Sequence, residues 1–441
     1  EPLSATSILF FGMMMKRFLL LFVSLLFIAQ VVLAQPLAEK LKAMPDILSV
    51  EKMANNSFFQ EAYVIMVKQP VNHKDTTQGF FPQRVFLSHL AFERPVVMIT
   101  EGYVGNYAAN ERYLNELCPI LNANQLFAEH RFFGESAPRS IDWSQLTVEN
   151  AAADHHHIIT IFKKLYGEKW LTTGISKGGQ TVMYHRMLYP NDVDVSVPYV
   201  GPLNFSYEDR RHSKFINKKV GTKVDREKVF VFQKELLKRK ESLMPMLEHF
   251  CKEKNYTFIV PLNEIYDYAV LEYAFSFWQW GHPIAEIPSV DSSDKKVFDY
   301  WQKISGVDYF DMEQSKAIAP FFIQAHRELG YYAYDPKPFG KLIETQNMKD
   351  YTSRLFLTPE ITFPYQPEMS LRTDQYIRRD AKNVLMIYGG IDPWSASAME
   401  PGKNPNVIKI VQAGNSHRTR IGTLPDAQKE MVINTLKKWM E

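Results

Sequence analysis

The 441-residue sequence predicts an α/β fold, a mostly parallel sheet of about eight strands with a mainly helical cap inserted between the sixth and seventh. Three observations predict it. Short apolar runs alternate with helix-period stretches through the first half, the alternation resumes near the C-terminus, and a long helical, charged and aromatic interval separates the two. Strands buried on both faces read as unbroken apolar runs, and helical crossovers between them make neighbours parallel.

The runs at 61–67, 84–89, 95–100, 125–130, 169–174 and 193–200 are the first six strands. Helical periodicity fills 108–117, 148–166 and 178–188 between them. Residues 383–388 and 407–411 supply two further strands, and 426–440 a closing helix. The core is therefore expected in two parts, 35–200 and 381–441. The cap spans 201–380, where stretches such as 225–243 and 265–279 have helical spacing and Pro and Gly punctuate the gaps.

At the N-terminus, Lys16 and Arg17 precede an apolar run from Phe18 to Leu33 that ends in Val32-Leu33-Ala34. The pattern predicts a signal peptide over 13–34, cleaved after Ala34, and hence an exported protein, periplasmic or secreted. A membrane anchor is the competing reading, but the run is shorter than the roughly 20 residues a span needs. Residues 1–12 lie upstream of Met13, Met14 and Met15 and are set aside from the fold. A formal charge of +2 gives no field favouring nucleic acid or an anionic membrane. No stable membrane association is expected after cleavage.

Cys118 and Cys251 are the only two cysteines, too few for a disulfide scaffold, and they fall in substructures that should keep them apart. His155, His156 and His157 are consecutive, and successive helical residues point about 100° apart, so they do not converge on a metal. Neither a metal nor a cofactor is expected.

Chemistry enters at Gly174-Ile175-Ser176-Lys177-Gly178-Gly179. This is G-x-S-x-G between a strand and a helix, the context that lifts a serine onto a sharp turn. The flanking positions are glycine because side chains there would strike the neighbouring strand and helix. The motif in this setting points to the α/β-hydrolase fold. A serine hydroxyl is a poor nucleophile, so a base must take its proton and a third group must orient the base. In that fold the order is Ser, acid, His, on loops after late strands. Asp392 follows the strand at 383–388 and His417 follows the strand at 407–411, both where the ligand loops of an open α/β sheet gather. Catalytic Ser176, Asp392 and His417 are the assignment. His130, His185, His282 and His326 are the rival bases, and each lies before the serine, on the helix after it, or in the cap. For the oxyanion, the backbone N–H of Lys177 supplies one donor and that of Tyr103 the second, with Gly102 allowing close approach. The Lys177 side chain is expected to face solvent or a carboxylate.

Several segments resemble one family, the bacterial secreted prolyl tripeptidyl aminopeptidases, the thirty-seventh serine peptidase family, distantly similar to lysosomal Pro-X carboxypeptidase. The resemblance rests on Thr100-Glu101-Gly102-Tyr103, Ala128-Glu129-His130-Arg131-Phe132-Phe133-Gly134-Glu135-Ser136, Thr173-Gly174-Ile175-Ser176-Lys177-Gly178-Gly179, Tyr189-Pro190-Asn191-Asp192-Val193-Asp194 and Gly389-Gly390-Ile391-Asp392-Pro393-Trp394. It places the same triad on Ser176, Asp392 and His417. Gly414-Asn415-Ser416-His417 carries one residue more than the family's Gly-Asn-His spacing, which affects the shape of that loop. Glu129, His130 and Arg131 read first as a buried brace for the loops and second as substrate contacts, and Asp154, Asp192 and Asp194 as structural.

The resemblance implies a serine exopeptidase that releases short peptides, tripeptides foremost, from free N-termini of peptide substrates, with cleavage after proline. A cap over the sheet's carboxyl edge would admit narrow chain ends. The aromatics Tyr273, Phe275, Phe277, Trp278 and Trp280 either line a proline pocket, with Trp278 as the candidate wall, or pack the core. Glu272 is the candidate partner for a free amine. A carboxylic-ester hydrolase with the same triad, and a non-catalytic binding protein on the same fold, are the alternatives. Paired amide and ester assays separate the first, and fluorophosphonate labelling the second.

Overall fold

In the computed structural model, which describes residues 36–357, 361 and 363–441, the N-terminal apolar run and the cleavage point expected after Ala34 lie outside the described residues. All eight expected strands form. They are β2 (Glu61–Pro70), β3 (Phe80–His89), β4 (Val96–Thr100), β5 (Asn124–Ala128), β6 (Trp170–Ile175), β7 (Val195–Tyr199), β10 (Val384–Gly389) and β11 (Val407–Gln412). A ninth, β1 (Ile47–Met53), was not foreseen. The sheet order is β1-β2-β3-β5-β4-β6-β7-β10-β11. β1, β2 and β3 are antiparallel to their neighbours, and the strands from β5 to β11 are parallel.

The central strands are apolar on both faces because both are covered. Along β4, Val97 and Ile99 join Phe127, Val197 and Leu385 on one face, packed with Leu436 of the C-terminal helix Asp426–Met440. Val96 and Met98 join Leu126, Ile158 and Phe162 on the other, under the helix Val148–Phe162. Alternate residues of a strand point to opposite faces, so one five-residue run serves two cores. Cys118 belongs to the first core and Cys251 to the cap's, and both are free thiols.

Between β7 and β10 the chain is mainly helical, with helices at Arg211–Lys218, Lys223–Lys238, Lys240–Lys254, Leu262–Trp280 and Asp294–Ser305, and one short parallel pair, β8 (Glu208–Asp209) with β9 (Tyr331–Tyr332). The Lys223–Lys238 helix opens on a reciprocal Thr222–Asp225 capping box. The last helix before β10, Glu368–Arg379, packs on Lys177–Leu188, with the Tyr184 hydroxyl 2.9 Å from that of Ser370, and also on the Ala325–Leu329 turn.

The three consecutive histidines point three ways. His155 is buried, His156 meets Asp192, and His157 meets Gln69. Among the described residues no helix is long and apolar enough to cross a membrane.

Candidate active site

Ser176 sits between β6 and the helix Lys177–Leu188 at φ 58°, ψ −122°, a left-handed conformation costly for a residue with a Cβ. The turn is held by Ser176 N–H donating to the Tyr199 carbonyl. It is so tight that a Cβ on Gly174 would lie 2.4 Å from the Gly178 carbonyl carbon, which explains glycine there. Among the described residues the Ser176 hydroxyl makes no hydrogen bond. It opens on a cleft of about 390 Å³ also lined by Tyr103, Glu272, Trp280, Tyr331 and Trp394.

Asp392 and His417 meet as their order along the chain requires. Asp392, fully buried, accepts from His417 Nδ1 at 2.6 Å through Oδ2 and from Trp394 N–H through Oδ1. With Nδ1 so engaged, Nε2 is the ring nitrogen left for chemistry. The His417 backbone N–H donates to Gln279 O, and the ring stands edge-on to Trp280 at 5.9 Å. Both of those residues line the cleft into which Ser176 opens. The additional residue in the histidine loop is Ser416. Its backbone is pressed against Gly389, where a Cβ would come within 2.1 Å of Ser416 O. The longer loop is thus accommodated by the glycine that ends β10.

The loop after β4 meets the start of the serine helix. A Cβ on Gly102 would lie 2.7 Å from Lys177 Cβ and 2.8 Å from Gly178 N, so the two segments carrying the expected oxyanion donors are in contact. Tyr103 lines the cleft. Burial raises the Glu101 carboxyl above the usual range, while the Tyr107 hydroxyl, the Gly102 N–H, the Lys177 charge and the Tyr103 N–H act in the opposite sense. The Lys177 side chain is not solvent-facing, and among the described residues it forms no salt bridge. It is 3% exposed, donates to Gly102 O at 2.6 Å, and lies over the rings of Tyr103 and Phe133. Burial pushes its ammonium down to about 7.

Glu272 is buried in the cleft wall and accepts from Tyr332, Tyr334 and Ser276 hydroxyls at 2.6, 2.8 and 2.7 Å. Burial raises its carboxyl above the usual range. Trp278 does not line the cleft. It lies beside Gly221, with its ring edge-on to Phe277 at 5.3 Å. Trp280, two residues on and 43% exposed, takes the place expected of it. Tyr273, Phe275 and Phe277 pack in the core. Besides Tyr103 and Trp280, the aromatic wall comes from residues that sequence reasoning did not single out, Tyr309, Phe321, Tyr331 and Trp394. They arrive from separate segments, and only Trp394, beside Asp392 in a quoted motif, carried a local signal.

Glu129 and Arg131 brace the loops. Arg131 grips Asp154 through Nε and Nη2 at 2.6 and 2.7 Å and donates to the carbonyls of Pro70, Val71 and Gln145. Glu129 accepts from Arg84, Gly105 N–H, Glu135 N–H and the Ser136 hydroxyl. His130 is buried, with Nδ1 against the Arg131 carbonyl and the ring edge-on to Phe133. Asp192 holds His185 and His156, and Asp194 holds Lys169 and the Trp170 N–H.

A serine raised on a strained strand-to-helix turn, with a carboxylate-oriented imidazole on the same edge of a parallel sheet, is the arrangement of serine hydrolases of the α/β-hydrolase fold, and this chain is one. A family profile described as PS-10 peptidase S37 matches residues 33–441, and the chain belongs to that family of serine peptidases. It is 31% identical over 386 residues to a prolyl tri/tetrapeptidyl aminopeptidase of Streptomyces mobaraensis, a match covering 86% of this chain and 80% of that one. Lysosomal Pro-X carboxypeptidase of Mus musculus is 29% identical over 147 residues, 30% of each chain. Among solved structures, a proline iminopeptidase of Mycobacterium smegmatis shares 11% identity at a TM-score of 0.38, over 85% of this chain and 98% of that one.

Proposed function

We propose that this chain is an exopeptidase that removes short peptides, tripeptides foremost, from free N-termini, cleaving after proline through an acyl-enzyme on Ser176. One observation carries the reading. Ser176 and the buried carboxylate of Glu272 open on the same capped cleft, and among the described residues Glu272 has hydroxyl donors but no cation. A buried carboxylate without a counter-charge is costly, and the α-ammonium of a peptide supplies the charge it lacks. The preference for proline draws support from the name of the Streptomyces relative and from the aromatic wall of Tyr103, Phe321, Tyr331 and Trp394.

In the reaction, His417 Nε2 takes the Ser176 proton as Oγ attacks the carbonyl carbon, and Asp392 holds the ring in the productive tautomer. N–H groups of Lys177 and Tyr103 receive the oxyanion. Collapse breaks the C–N bond, and His417 returns the proton to the leaving amine. Water then repeats the sequence on the acyl-enzyme.

The test is a peptide library with free or acetylated N-termini, with fragments identified by mass. The expected result is tripeptides released only from free N-termini. Cleavage of acetylated peptides at equal rate, or hydrolysis of short acyl esters with no peptide cleaved, contradicts it. Export is part of the same proposal, supported by Lys16, Arg17 and the apolar run to Ala34. N-terminal sequencing of protein recovered outside the cytoplasm should begin at Gln35, and intact protein confined to the cytoplasm would refute it.

A further inference from the structure

We propose that Lys177 is a positioning residue of the oxyanion hole: its ammonium fixes and polarises the Gly102–Tyr103 peptide so that the Tyr103 N–H donates to the tetrahedral oxyanion. The inference rests on the assignment of Ser176 as nucleophile and extends it to a side chain with no part in the Ser-His-Asp relay.

Lysine is rarely buried without a carboxylate partner, yet Lys177 is 3% exposed and, among the described residues, its ammonium's one hydrogen bond is to a backbone carbonyl, Gly102 O at 2.6 Å. The choice of carbonyl matters. Gly102 C=O and Tyr103 N–H belong to a single peptide unit, and no cis bond occurs among the described residues. In a planar trans peptide those two groups point in opposite directions. A cation that pins the oxygen therefore sets the direction of the N–H. It also draws electron density toward the carbonyl, which makes the N–H a stronger donor. The clamp is short and rigid because Gly102 lets the loop touch the helix, with room for no Cβ. The Tyr103 and Phe133 ring faces, 5.6 and 5.2 Å from Nζ, hold the ammonium in place.

The surrounding charges give the ammonium a second effect. Among the described residues Glu101, on the same loop, is the acid that acts on it, and in the free enzyme its carboxyl draws the Gly102 and Tyr103 N–H groups, so the oxyanion takes the Tyr103 N–H in its place. A carboxylate there opposes a developing oxyanion, and Lys177 in its protonated form offsets it. The other titratable neighbours, His130 and His155, are buried and held neutral, both pushed below the usual imidazole range by burial. Residue 177 thus contributes its own N–H directly and controls a second through the side chain.

The experiment compares a tripeptide aldehyde with the matching alcohol as inhibitors. The aldehyde forms an Oγ–C bond with Ser176, its C=O π pair becomes the oxyanion, and the serine proton passes to His417. The alcohol binds the same cleft with no oxyanion. In Lys177→Met the aldehyde inhibition constant should rise about 30- to 100-fold while that of the alcohol stays within about threefold, and kcat should fall by a similar factor with KM nearly unchanged. Lys177→Arg, which keeps charge and donor, should recover part of the aldehyde preference. If the Met variant does not fold, Lys177→Gln carries the same comparison. Equal weakening of aldehyde and alcohol, or an unchanged kcat in a folded variant, overturns the proposal.

Discussion

His417 Nδ1 lies 2.6 Å from Asp392 Oδ2, and the other oxygen of that carboxylate accepts the Trp394 N–H. Asp392 thus orients the imidazole and caps the short helix Pro393–Ser397. An asparagine can keep the second contact but presents an amide to the ring and favours the wrong tautomer. Asp392→Asn should lower kcat by about 10⁴ with the fold intact, measured by peptide turnover beside circular dichroism.

Glu272 is tied to Tyr332, Tyr334 and Ser276, and glutamine can retain most of those contacts while losing the charge. Glu272→Gln should raise KM about 30-fold for peptides with free N-termini, the loss of roughly 2 kcal/mol for a charge-assisted contact. The value of kcat should stay within a few-fold. Steady-state kinetics on one peptide, free and acetylated, makes the comparison.

Arg131 and Asp154 are both buried and joined by two hydrogen bonds. Removing the cation leaves a buried carboxylate with, among the described side chains, His73 alone bonded to it. Arg131→Met should destabilise the protein by about 3 to 5 kcal/mol, read from urea denaturation.

Glu328 accepts the Val148 N–H at the start of the helix Val148–Phe162, and burial raises its carboxyl to about 7. The folded state therefore binds this proton more tightly than the unfolded chain, whose value is 4.5. The stabilising contribution is complete below 4.5 and is lost as pH rises through about 7. Glu328→Gln should match the wild type at the acid end and exceed it by roughly 2 to 3 kcal/mol above neutrality. Paired thermal denaturation across that range tests the sign.

The eight expected strands were legible because each is an apolar run bounded by turns, and Asp392 and His417 because each follows such a run. β1 was not, since an edge strand with no buried residue and charges at Glu51 and Lys52 has no continuous apolar run. Its pairing is set by β2, with Met53 opposite Ala62. Trp278 and Trp280 show a second limit. Two helical residues stand about 200° apart, so a cluster of aromatics cannot face one cleft, and which of them does depends on how the cap docks. Lys177 was read from the usual exposure of lysine, whereas its burial depends on a carbonyl 75 positions away. Tyr309, Phe321 and Tyr331 meet at the cleft only through tertiary packing.

Mass-spectrometric mapping of a fluorophosphonate adduct tests the central assignment most directly. The label should fall on the peptide containing Ser176, stop peptide hydrolysis in proportion to its extent, and be absent from a folded Ser176→Ala variant that has lost turnover. An adduct on another residue that abolishes activity, or a Ser176→Ala protein that still cleaves peptides, would contradict it.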